Sequence, residues 1–173
     1  MISGRPVFAF LLFNCISGHA MLFHKSLLAK AIPFPAVGFY DQWLALNAAA
    51  MGQIENTKEV LVRYRQHANN QTDLEGKRRR ITGFQRAKMR ISRENIWLIA
   101  CKPIFQNQKA ECFPKIIDLA NSRENSYFSF GFGLEIWRNR NLYLSITSKG
   151  FFSDLAFASR YSWGLKLKKL FHV

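Results

Sequence analysis

Apolar and polar positions change texture once along the chain. From Asn14 to Phe23 the pattern fits a buried strand, and His24 to Ala31 fits a short helix stopped by Pro33-Phe34-Pro35, where the missing amide hydrogens end helical pairing. Trp43 to Met51 is a run of good helix formers. Asp41 stands just ahead of it, at the helix start, and Gly52 falls where a left-handed terminal cap is expected. Glu59-Val60-Leu61-Val62-Arg63-Tyr64 has β-branched and aromatic character and predicts a strand, followed by a polar loop from Arg65 to Asp73. Beyond Gly76 the apolar positions Ile81, Phe84, Ala87, Ile91 and Leu98 recur at helical intervals, and a last helix is predicted over 151–171. These periods predict an α/β unit over residues 1–76 and a mostly helical extension over 77–173.

Composition adds to this picture chiefly through charge. With 173 residues, 49% of them hydrophobic, the chain can bury an ordinary core and must fold. Residues 1–76 carry six Lys/Arg against five Asp/Glu, whereas residues 77–173 carry nineteen against six. The second half therefore holds most of the net +14 and draws anionic partners, either nucleic acid or an acidic membrane face. Three widely spaced cysteines, Cys15, Cys101 and Cys112, form no Cys-x-x-Cys pair and read as reduced thiols. The apolar run Val7 to Phe13 is too short for the core of a convincing signal peptide, and no segment approaches the roughly 20 apolar residues that span a bilayer.

Three pieces occur in an informative order: Ser17-Gly18-His19-Ala20-Met21-Leu22-Phe23, Tyr40-Asp41-Gln42-Trp43-Leu44 and Tyr64-Arg65-Gln66-His67-Ala68-Asn69-Asn70. In that order the chain resembles family 2 glycosyltransferases, especially the rhamnosyltransferase-like enzymes of bacterial surface-polysaccharide assembly. The resemblance runs over residues 14–73 and is only textural afterwards. It implies the acceptor-side half of a GT-A fold and sugar transfer with inversion from a nucleotide-sugar to a glycan or lipid-linked acceptor.

The resemblance also assigns roles. Asp41 is the position of the general base, which accepts the proton of the attacking hydroxyl. A carboxylate at a helix start also caps backbone N–H groups, and the two roles can coexist. Tyr40 stands where relatives often carry a polar neighbour for this aspartate. His67 matches the position that completes coordination of a divalent metal, Mg or Mn, on the donor diphosphate; a lone His in a polar loop is otherwise a surface residue. Arg65 would pair with phosphate oxygens or with a carboxylate such as Glu59. Gly18 would let the backbone approach substrate and His19 would face donor or acceptor, against a turn glycine and a satisfied core histidine. Trp43 would stack on a sugar, or else belong to the core. No acidic residue precedes Asp41 and no glycine-rich phosphate loop is present, so the nucleotide-binding half is expected to be lacking and the chain alone inactive. A non-catalytic remnant or partner subunit is the alternative.

The basic half has two readings. Lys77-Arg78-Arg79-Arg80 with Arg86, Lys88, Arg90 and Arg93 has the density of a nucleic-acid stripe, but interleaved Phe84, Met89, Ile91 and Trp97 suit a packed helix better than a base-stacking platform. Near the C-terminus, Phe152, Leu155, Trp163, Leu167 and Leu170 align on one face of the predicted helix, flanked by Arg160, Lys166, Lys168 and Lys169. That is the pattern of an amphipathic helix in a membrane interface. With the resemblance, it implies a cytoplasmic protein peripheral to the inner face of the plasma membrane, with nucleic acid the lesser expectation.

Overall fold

The computed structural model of the chain describes residues 4–63, 65, 82–107, 112–147 and 150–171. Residues 4–39 are turns more than helix, with 3-10 turns at Ala9–Leu11, Gly18–Ala20 and Lys25–Leu27, the last running into the one-turn helix α1 (Leu28–Ala31). Helix α2 (Tyr40–Met51) follows, then the long α3 (Gly83–Asn107), α4 (Cys112–Ser122), α5 (Phe130–Arg138), the short α6 (Arg140–Tyr143), α7 (Phe151–Tyr161) and α8 (Leu165–Leu170).

Helix α2 is central because nearly every side of it is apolar. Trp43, Leu44, Ala45, Leu46 and Ala49 are buried. Its buried polar groups are each answered: Gln42 Nε2 donates to the Phe10 carbonyl at 2.7 Å, Asn47 Nδ2 to the Trp43 carbonyl at 2.9 Å and Trp43 Nε1 to the Ala31 carbonyl at 2.7 Å. Paired in this way, they cost little to bury. The helix ends at Gly52, as its sequence suggests, but with φ −157° rather than a left-handed cap.

One apolar cluster joins the N-terminal turns and α2 to the helices beyond residue 82. Phe8 meets Phe105 at 5.0 Å and Tyr143 at 5.8 Å between ring centroids, and Phe105 stacks on Phe113 at 4.2 Å. Val7, Ala9, Phe10 and Leu11, the apolar run near the N-terminus, lie buried in this core. A polar knot sits beside it. Arg123, 3% exposed, brings Nη1 to 2.9 Å from Glu94 Oε2 and lays its guanidinium over the Phe132 ring at 4.5 Å. The Glu94 oxygen is not aligned for a hydrogen bond, so that contact is Coulombic.

The expected α/β architecture, the acceptor-side half of a GT-A fold, is not what the chain forms. Among the described residues there is no strand, only isolated bridges between Gly4 and Ile54 and between Phe128 and Trp163. Within 14–23, Gly18–Ala20 close a 3-10 turn, Met21 is extended but has no strand beside it among the described residues, and Leu22 is fully exposed. Val60, Leu61 and Val62 are exposed as well, and no ladder partner lies beside them among the described residues. A strand needs a partner for its backbone N–H and C=O groups, which β-branched composition cannot supply. Gly76, the expected boundary, lies outside the described residues.

The C-terminal expectation changes too. The helix predicted over 151–171 is two helices, broken at Ser162–Gly164, and α8 packs back on α3 with Lys168 buried. Phe152, Leu155, Trp163, Leu167 and Leu170 therefore do not form one continuous amphipathic stripe. Among the described residues no helix is long and apolar enough to cross a membrane.

Candidate functional site

Asp41 is the second residue of α2, half-buried. Its Oδ1 accepts from the Gln42 backbone N–H at 2.8 Å and from Asn14 Nδ2 at 3.0 Å. Phe39 occupies the cap position and makes no side-chain capping bond, so Asp41 answers one amide of the first turn without being the formal cap. Both of these bonds fall on the same oxygen. Oδ2 has no hydrogen-bond partner among the described residues.

The turn at Gly18–Ala20 lies against this helix start. A Cβ on Gly18 would overlap the Tyr40 ring, so the glycine is needed for the approach of Tyr40. The first two of the three sequence pieces thus meet through Gly18 and Tyr40, and Asn14, three residues ahead of the first piece and 27 positions before Asp41, joins them there. His19 is exposed on the same turn.

Other expected site residues lie elsewhere. Trp43 is 7% exposed, hydrogen-bonded to Ala31 and edge-on to Trp97 at 6.0 Å, which is a core position and leaves no face open to a sugar. Arg65 is exposed and forms no ion pair among the described residues. His67 lies outside the described residues, as do Tyr64, Gln66 and Ala68 to Asn70. Among the described residues no three His, Cys, Asp or Glu side chains gather as a metal site. The expected metal thus finds no complete donor set among the described residues.

Beside the Asp41 turn runs a groove of about 540 Å³. One wall is Leu11, Leu12, Asn14, Gly38, Phe39 and Gln42; the other is the face of α3 that carries Arg86, Met89, Arg90, Arg93, Glu94 and Trp97. Asn14 belongs both to the groove and to the Asp41 contact. Nothing in the local pattern singles out Asn14, whereas the spacing of Arg86, Arg90 and Arg93 by four and three residues reads as one helical stripe.

A second surface feature gathers around Phe128 and Trp163. Phe128 and Phe130 stack at 5.1 Å, and Phe128 bridges to Trp163 through the backbone. Lys166 Nζ lies 5.9 Å above the Tyr127 ring and Lys168 Nζ 5.3 Å above the Trp163 ring. All four aromatic residues are exposed, Phe130 most of all at 70%.

No protein-family model, curated protein or solved structure matches the chain.

Proposed function

We propose that the chain supplies the acceptor side of a glycosyltransferase of the family 2 type, with Asp41 as its general base. The observation that carries this reading is the Asp41 carboxylate itself: Asn14 and the Gln42 amide hold Oδ1, while Oδ2 has no partner among the described residues. A base needs that combination of fixed direction and available lone pairs. Function here rests on the site and not on the fold, which is helical.

In the proposed reaction an acceptor hydroxyl gives its proton to Asp41 Oδ2 as its oxygen bonds to the anomeric carbon of the donor. The bond from that carbon to the nucleoside diphosphate breaks with inversion, and the diphosphate leaves with the electron pair. The nucleotide-sugar is held outside the described residues, among which no β-α-β unit is present. His67 and a divalent metal, Mg or Mn, belong to that outer part of the proposal.

Chemical-shift mapping by NMR of the isotope-labelled full chain with a panel of bacterial-type oligosaccharides tests the reading. Binding is expected to involve protons around Asn14, Gly18 and Asp41, and Asn14→Ala should weaken it. Turnover with nucleotide-sugar and Mg or Mn should stay at background. If no oligosaccharide binds, or if Asn14→Ala and Asp41→Asn both leave binding unchanged, the chain is instead a non-catalytic partner.

The same proposal puts the protein in the cytoplasm, peripheral at the inner face of the plasma membrane. Tyr127, Phe128, Phe130 and Trp163 with Lys166 support that placement, because exposed rings and long basic side chains suit the headgroup layer. Lysines already cover the Tyr127 and Trp163 faces, and Phe128 and Phe130 use theirs on each other, which leaves less room for stacked bases. Sedimentation with anionic vesicles should weaken in Phe130→Ala with Trp163→Ala. Equal sedimentation with neutral vesicles would remove the electrostatic part of this placement.

A further inference from the structure

The arginines of α3 have a second reading once their surroundings are known. Arg86, Arg90 and Arg93 follow one helical stripe about 10 Å long and face the groove across from Asn14 and Phe39. Glu94 is the one acid among the described lining residues, and its charge is already taken: Arg123 Nη1 lies 2.9 Å from Oε2 and Arg90 Nε 3.7 Å from Oε1. Arg86 and Arg93 form no ion pair among the described residues. Both walls are partly apolar, through Leu11, Leu12 and Phe39 on one and Met89 and Trp97 on the other.

We propose that this groove binds a phosphate or diphosphate ester, with the arginines on the phosphate oxygens and the apolar wall residues against the esterified group. Guanidinium presents a planar fork of donors that matches two phosphate oxygens at once. Two such groups without a counter-charge make a local positive field that favours an anion over a neutral ligand. A concave, largely apolar groove of about 540 Å³ takes one small ligand. A polynucleotide stacks successive bases on open aromatic faces, and among the lining residues only Phe39, 55% exposed, offers one; Trp97 is 5% exposed and packed edge-on to Trp43. The buried Trp97 Nε1–H lacks an acceptor among the described residues, but the side chains over it would have to part before a ligand oxygen reached it, so the arginines carry the site. Ester binding in this groove needs no proton transfer at Asp41.

Isothermal titration of the full chain tests it with four probes: inorganic diphosphate, a prenyl diphosphate, a nucleoside diphosphate and a single-stranded oligonucleotide. At least one ester should bind about tenfold or more tightly than inorganic diphosphate, and the one that does names the source of the ester. Arg86→Gln with Arg93→Gln should weaken that ester by about tenfold per guanidinium removed. Met89→Glu sets a carboxylate between the arginines and should abolish binding, while Lys58→Gln, outside the groove, should not alter it. All of these positions are exposed, and a preserved circular dichroism spectrum checks the fold. Three results would overturn the inference: inorganic diphosphate binding as tightly as both esters, an unchanged double arginine variant, or the oligonucleotide binding more tightly than either ester.

Discussion

Replacing Arg123 by Met tests how much of the helical half hangs on one charge. Arg123 Nη1 reaches Glu94 on α3, Nε donates to the Ala120 carbonyl at 3.3 Å, and its plane covers Phe132 of α5 at 4.5 Å and Tyr161 of α7 at 5.4 Å. Methionine keeps the unbranched stem and much of the packing but removes the charge. Breaking a buried pair from one side costs about 3 to 5 kcal/mol, because the partner is left buried and unmatched. Glu94 is 28% exposed and keeps Arg90 at 3.7 Å, which discounts that range to about 2 to 4 kcal/mol. For a chain of this size each kcal/mol lowers the melting temperature by about 2 to 4 °C, which gives a drop of about 4 to 16 °C. Thermal melts followed by circular dichroism read it directly. Adding Glu94→Gln to Arg123→Met should recover part of the loss, since the unmatched charge is gone. An Arg123→Met variant melting within about 2 °C of the parent would refute the reasoning.

Gly38→Ala should destabilise the protein by about 2 to 5 kcal/mol in urea denaturation, combining a left-handed backbone with overpacking: Gly38 has φ +91° and an added Cβ would lie 2.6 Å from Trp97 Cε3. A change below about 0.5 kcal/mol would mean that the Trp97 wall of the groove yields freely. In a Cys112→Ser background, a thiol reagent should modify exposed Cys15 in the native state and reach Cys101 only on unfolding, because Cys101 is buried and burial pushes its thiol far above the ordinary range. Equal labelling rates would contradict the packed core. The same shift has a sign in pH: the unfolded thiol ionises near 9.0 while the folded one stays protonated, so its contribution is complete below that pH and falls as pH rises beyond it. Cys101→Ala should therefore lose stability less steeply above pH 9 than the parent, and parallel curves would sink this account.

Short-range pattern determined a good deal. The helix formers from Trp43 to Met51, the spacing of Phe84, Ala87, Ile91 and Leu98, and the position of Asp41 at a helix start were all legible, because helical hydrogen bonds close within the segment that carries them. Strands at 14–23 and 59–64 were misread from the same kind of pattern, since a strand exists only when a distant segment pairs with it, and none is described beside residues 14–23 or 59–63. Tertiary packing alone decided that Trp43 is core, that the C-terminal apolar stripe breaks at Ser162–Gly164, and that Asn14 orients Asp41. It also set the Leu11 to Asn14 wall across from Arg86, Arg90 and Arg93, turning an exposed basic helix face into one side of a groove. Sequence names the side chains and their local period; which of them face one another depends on contacts between residues far apart in the chain, and those form only when the core closes.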